Sequence, residues 1–199
     1  MKTILLFILD KFADWEAAYL SSAVNMLGNG EFSVKTVSLT QEAVISIGGF
    51  RTVPDFGLDT VPEDYEALIL IGGMSWRTPE ARRVSALAEN CAEKGKLLGG
   101  ICDASAFLGT LGLLNSVPHT SNDPNDLKQW AGEAYSGEKL YVHKQAVRGG
   151  SIITANGTAA LEFAKEVLLA VNAAPENKIN DWYNFHKLGY YCAAMPDMR

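Results

Sequence analysis

Leu97-Leu98-Gly99-Gly100-Ile101-Cys102-Asp103-Ala104-Ser105-Ala106-Phe107-Leu108-Gly109 is the stretch from which the fold can be read. Its first half is a short apolar run with a glycine pair, as in a strand covered on both faces; from Ala104 the apolar residues recur at helical spacing. The turn between the two falls on Cys102. A strand that bends sharply into a helix forces its central residue into a strained backbone and requires small residues two positions away, here Gly100 and Ala104. The thiol then stands clear of the main chain at a helix N-terminus, whose unpaired N–H groups are expected to favour thiolate and lower the pKa below the usual ~8.5. The plainer reading of a free cysteine, a small core residue, suits Cys91, which shares a stripe with Val84, Leu87 and Ala88 on a helix predicted over 79–94.

Outward from this elbow, strands and helices alternate. Apolar runs predict strands at 3–9, 67–71 and 96–101, and alternation predicts one at 32–39, with a hairpin or tightly turned strand over 44–53 around Gly48-Gly49. Helices are expected at 15–27 with Asp14 as N-cap, and at 103–111, ended by Gly112. A polar, turn-rich link covers 113–123. A short helix at 126–131, strands at 141–147 and 151–154 joined through Arg148-Gly149-Gly150, an amphipathic helix at 158–171 and an aromatic-bearing helix at 176–186 complete the chain. This pattern predicts one α/β domain over 1–199, a flavodoxin-like, doubly wound, mostly parallel sheet with helices on both faces. Ligands bind outside the carboxyl ends of such strands. Three loops arrive at that edge, carrying Glu16, Gly72-Gly73 and Cys102.

Composition narrows the function classes. The chain has 199 residues, 48% apolar and 20% charged, with a net charge of -6, which argues against a nucleic-acid partner. Lys2 precedes an apolar run, but Asp10 and Lys11 follow at once without a small-residue cleavage site, so a first strand is expected rather than a signal peptide, with a cytoplasmic location and no membrane partner. Three widely spaced cysteines, Cys91, Cys102 and Cys192, suit a reducing compartment and match no zinc spacing. Nothing calls for a nucleotide, flavin or metal.

With Asp14-Trp15-Glu16, Ile71-Gly72-Gly73, Gly100-Ile101-Cys102 and Thr154-Ala155-Asn156-Gly157-Thr158-Ala159-Ala160 in order along its length, the chain resembles the DJ-1/PfpI family, relatives of class I glutamine amidotransferases. The resemblance implies that Glu16 is the acidic partner of Cys102 and that Gly73 and Asp103 offer backbone N–H groups to an oxyanion. It also implies a homodimer. This sequence departs from the peptidase branch in having Asp103 where a His follows the nucleophile, and from true amidotransferases in lacking a His and a Glu within 155–160. Other branches place a His about twenty residues beyond the Cys. Asn122 stands there, with His119 three positions earlier. Either His119 reaches the site in a changed geometry or the site works without imidazole. Asp103 is expected to point outward or be paired, since its charge opposes thiolate formation. Gly72, Asn122 and Trp76 are candidate pocket residues, Trp76 being equally readable as a packing plug.

The reading is thus a cysteine-nucleophile, hydrolase- or amidase-like or carbonyl-processing enzyme for a small-molecule substrate. The alternative is a redox-responsive or stress-protective protein sensing oxidation at Cys102.

Overall fold

The computed structural model describes residues 1–196. The chain runs β1 (Lys2–Phe7), α1 (Asp14–Leu27), β2 (Phe32–Ser38), a small hairpin β3 (Val44–Ile45) and β4 (Arg51–Thr52), then β5 (Phe56–Gly57) and β6 (Ala67–Leu70). It continues through α2 (Ser85–Glu93), β7 (Leu97–Ile101), α3 (Asp103–Thr110), α4 (Pro124–Ala131), β8 (Ala146–Gly149), β9 (Ile152–Ala155), α5 (Ala160–Ala170) and α6 (Glu176–Leu188).

Seven strands form one sheet in the order β5-β2-β1-β6-β7-β9-β8. All pairs are parallel except β8–β9, so the expected doubly wound α/β fold is present with one reversed edge strand. Because successive side chains point to opposite faces, the apolar runs build two cores at once. Ile4, Leu6 and Ile8 face α1, α5 and α6, while Leu5, Phe7 and Leu9 pack with residues of α2, α3 and α4. Winding reverses between β1 and β6, and the crevice at such a reversal lies where the loops after both strands leave the sheet. Those loops carry Glu16 and Gly72-Gly73, and β7 delivers Cys102 beside them.

Several elements differ from the sequence reading. Ala13, not Asp14, occupies the N-cap position of α1; the Asp14 carboxylate instead accepts the Gly48 N–H at 2.7 Å, tying the helix to the β3–β4 hairpin. The helix expected over 79–94 begins as a 3-10 helix, Pro79–Val84, and becomes α-helical from Ser85. Of the strand expected over 141–147, only β8 joins the sheet; Tyr141 makes an isolated bridge to His119. The aromatic helix α6 buries Ile179 and Trp182 in the core shared with α1 and α5. No described helix is long and apolar enough to cross a membrane.

Candidate active site

Cys102 sits at φ +60° and ψ −133°, in a region that a residue with a Cβ rarely adopts. The elbow is held on both sides: the Cys102 N–H donates to the Ala155 carbonyl at 2.9 Å, and Ser105 Oγ donates to the Cys102 carbonyl at 2.6 Å. Gly100 meets the expected need for a small neighbour, since a Cβ there would lie 3.1 Å from the Ala104 carbonyl.

Glu16, in the first turn of α1, is completely buried against the thiol, and neither carboxylate oxygen has a well-formed hydrogen bond. Burial raises its pKa to about 7; the Cys102 thiol and the Gly72 backbone pull the other way, and the Asp103 charge adds to the rise. The expected acidic thiol is not found. Burial, and then the Glu16 carboxylate, push Cys102 up to about 11, against the Asn122 amide and the Asp103 N–H, which favour thiolate. Desolvation and a like charge therefore outweigh the helix N-terminus. The two groups titrate as a pair, holding two protons below about pH 7 and sharing a single one from there up to about pH 11.

Asn122 Nδ2 donates to Cys102 Sγ at 3.3 Å, while its Oδ1 accepts the Gly157 N–H at 2.8 Å. That second bond fixes which end of the amide faces sulfur. His119 does not reach the thiol. It is completely buried, with Nδ1 2.8 Å from the Val117 carbonyl and Nε2 2.7 Å from the Tyr135 hydroxyl, and burial lowers its pKa. Within the polar, turn-rich link, His119 to Ser121 are buried, and Thr154 Oγ1 accepts the Thr120 N–H at 2.8 Å. Trp76 is packed as a plug and also walls a cavity of about 360 Å³ with Arg77 and Phe107, away from the cleft that Asn122 lines. Its indole N–H donates to the Ile71 carbonyl at 2.7 Å, and its ring packs with Phe7 and Phe107.

Gly73, at φ +145°, lies against the Lys11 carbonyl, where a Cβ would collide. Its N–H has no backbone or side-chain acceptor among the described residues. Asp103 is paired, as expected, its carboxylate gripped by Arg77 Nε at 2.8 Å and Nη2 at 3.2 Å. At Gly72 a Cβ would run into Glu16 Oε2 and lie 2.5 Å from the Cys102 Cβ, so glycine there is what lets acid and thiol approach.

Comparison with known proteins places the chain in a family. The model of the DJ-1/PfpI family matches residues 2–170. The chain belongs to the DJ-1/PfpI family. Over 191 residues it is 36% identical to the Bacillus subtilis protein named uncharacterized protease YdeA, covering 96% of this chain and 94% of that one. The thiJ/pfpI family protein from Bacillus anthracis superposes with a TM-score of 0.86 at 31% identity, covering 94% of this chain and 92% of its own. The DJ-1 superfamily protein Atu0886 from Agrobacterium tumefaciens gives 0.83 at 32% identity, covering 94% and 100%.

Three contributors to this DJ-1/PfpI site, Gly157, Trp15 and Arg77, are not among the candidate site residues read from the sequence. A Cβ on Gly157 would lie 2.9 Å from Sγ, and the Gly157 carbonyl accepts the Trp15 indole N–H at 3.1 Å. Arg77 grips Asp103 from the loop after β6. Only the Asn156-Gly157 pair, a turn signal after a strand, marks any of them. A cleft of about 850 Å³ has Asn122, Asn125, Tyr141, Gln145, Asn156 and Lys165 among its walls; it shares Asn122 with the thiol site, but Cys102, Glu16 and Gly73 do not line it. Among the described residues no group of His, Cys, Asp and Glu side chains is placed to hold a metal ion.

Proposed function

We propose that this protein is a thiol-dependent enzyme acting on small carbonyl compounds, with Cys102 as nucleophile and Glu16 as the group that moves the proton. The observation that carries the reading is the completely buried Glu16 carboxylate set against a thiol on a strained elbow. A buried carboxylate without good hydrogen bonds is destabilising and is a functional-site candidate for that reason.

Glu16 accepts the S–H proton as Sγ bonds to the carbonyl carbon, and the C=O π pair moves onto oxygen. The N–H groups of Gly73 and Asp103 receive that oxyanion. With an aldehyde, Glu16 returns the proton to the oxygen and a hemithioacetal results. With an amide, it protonates the leaving nitrogen as the C–N bond breaks, and water hydrolyses the thioester with Glu16 again as base. The hydrolase chemistry in the YdeA name begins with the same addition. Asn122 donates to sulfur but cannot carry a proton, so Glu16 does all of the proton transfer.

The test is a panel of small aldehydes, amides and esters assayed with wild type, Cys102→Ala and Glu16→Gln. Turnover should fall by roughly 10²-fold or more in both variants. For wild type, kcat/KM should rise through about pH 7, as Glu16 loses its proton, and fall through about pH 11, when the shared proton is gone. Undiminished turnover by Cys102→Ala sinks the reading. A redox-responsive role for Cys102 is the second reading, favoured by an amide rather than an imidazole at sulfur. It requires selective peroxide oxidation of Cys102 with no turnover on any member of the panel. By family likeness we also propose a homodimer, which a monomer mass in light scattering at micromolar concentration would refute.

A further inference from the structure

We propose that Arg77 is the positioning residue of the thiol site, a clamp whose guanidinium joins the Gly72-Gly73 loop, the Cys102 elbow and the Asn122 loop. Four bonds make the joint. Arg77 Nε and Nη2 hold Asp103 at 2.8 and 3.2 Å, and Nη1 and Nη2 hold Asp126 at 3.0 and 2.6 Å. The guanidinium carbon also lies 4.6 Å from the centre of the Trp130 ring. Only arginine presents a planar fork able to grip two carboxylates while stacking on an aromatic face.

Each end of the clamp is anchored where it matters. Arg77 follows Trp76, whose buried indole is bonded to Ile71 at the root of the Gly72-Gly73 loop. Asp103 comes directly after Cys102. Asp126 lies in the first turn of α4, the helix capped by Asp123, whose carboxylate accepts the N–H groups of Asn125 and Asp126, and Asn122 immediately precedes that cap. The 3.3 Å contact from Asn122 to sulfur therefore depends on how α4 sits against the elbow.

The clamp also sets charge. Glu16 from α1 and Asp103 from α3 are the charged groups acting on the thiol. The loop after β6 and the 155–159 turn bring backbone, and the 120–123 loop an uncharged amide. Arg77 offsets the one of the two carboxylates that has no part in proton transfer. Its ion pairs are partly exposed, so their worth to overall stability is small. Leu127 packs against Gly109 independently, so α3 and α4 stay together without the guanidinium.

The inference rests on Cys102 as the working thiol, and its test needs no substrate. Iodoacetamide alkylation of Cys102 is followed against pH by peptide mass spectrometry in Arg77→Met, Arg77→Lys, Asp103→Asn, Asn122→Ala and Arg77→Met/Asn122→Ala, with thermal unfolding of each. Arg77→Met should raise the alkylation midpoint by about one pH unit and slow the reaction about tenfold at fixed pH. Arg77→Lys should recover the midpoint but remain slower, because charge returns without the fork. Asp103→Asn should speed alkylation severalfold. The double variant should be no slower than the slower single, since without the clamp Asn122 no longer reaches sulfur. A midpoint and rate within twofold of wild type in a folded Arg77→Met overturns the proposal, as do fully multiplicative effects of Arg77→Met and Asn122→Ala. Should Arg77→Met not fold, unchanged alkylation in both Arg77→Lys and Asp103→Asn overturns it. Failure to find turnover on the carbonyl panel would overturn the enzyme reading and leave these alkylation results standing.

Discussion

Cys91 and Cys102 lie off opposite ends of β7, in different surroundings. Cys91, on α2, is completely buried, and its thiol donates to the Leu97 carbonyl at 3.6 Å where the strand begins. Cys102 follows the strand's last residue, half-buried, between Glu16, Asn122 and the start of α3. Burial raises both thiols. What separates them is strand polarity. At the carboxyl edge of a parallel sheet helices begin, so free N–H groups and loops gather around a side chain; at the amino edge helices end and the chain turns under. One residue type is thereby a filler at one end of a strand and a reagent at the other.

Alkylation contrasts the two ends most sharply. In the native protein Cys102 should react with iodoacetamide on the order of a thousandfold faster than Cys91, which must wait for local opening of α2. Comparable rates, read peptide by peptide with exposed Cys192 as a reference, would remove the distinction. A smaller but still large effect concerns what the active end does to the fold. The folded Glu16 pKa of about 7 exceeds the unfolded value of 4.5, so the native state holds that proton longer than the unfolded chain. Glu16 therefore weighs least on stability below pH 4.5 and most above pH 7. Glu16→Gln should gain on wild type in denaturant titrations as pH rises through that window, by roughly 3 kcal/mol in all. A constant offset across the window would mean the carboxylate is not held uncompensated. Smallest is the effect at the packed end: Cys91→Ala should lower stability by about 1 kcal/mol and leave Cys102 alkylation unchanged.

Most of the sheet was legible because its central strands β6 and β7 are apolar throughout, β2 alternates and the helices are periodic. The elbow was legible because a strand, a cysteine and a helix follow without a gap. The turns of the 113–123 link were legible but the burial of His119 to Ser121 was not, for the residues there are polar and have no period. That burial comes from partners distant in sequence: Thr154 takes the Thr120 N–H, and the Tyr141 hydroxyl accepts the Ser121 N–H at 3.1 Å. His119 was offered as a catalytic group by its chemistry, but Tyr135 and Val117 had already engaged both nitrogens. The Arg77 clamp was invisible for a related reason: an arginine after a tryptophan carries no pattern until Asp103 and Asp126 are brought to it. Asp14 lost its cap role because the hairpin amide of Gly48 competes for the same carboxylate.

The backbone at Cys102 has a consequence for how this chain can change over generations. At φ +60° and ψ −133° a glycine would rest easily, whereas any side chain is held there at about 1–3 kcal/mol. A descendant with no use for the thiol would gain stability by a single drift to glycine, and would lose the sulfur in the same step. Persistence of cysteine at this one position, against a replacement that the fold itself favours, would mark lineages in which the chemistry is still selected.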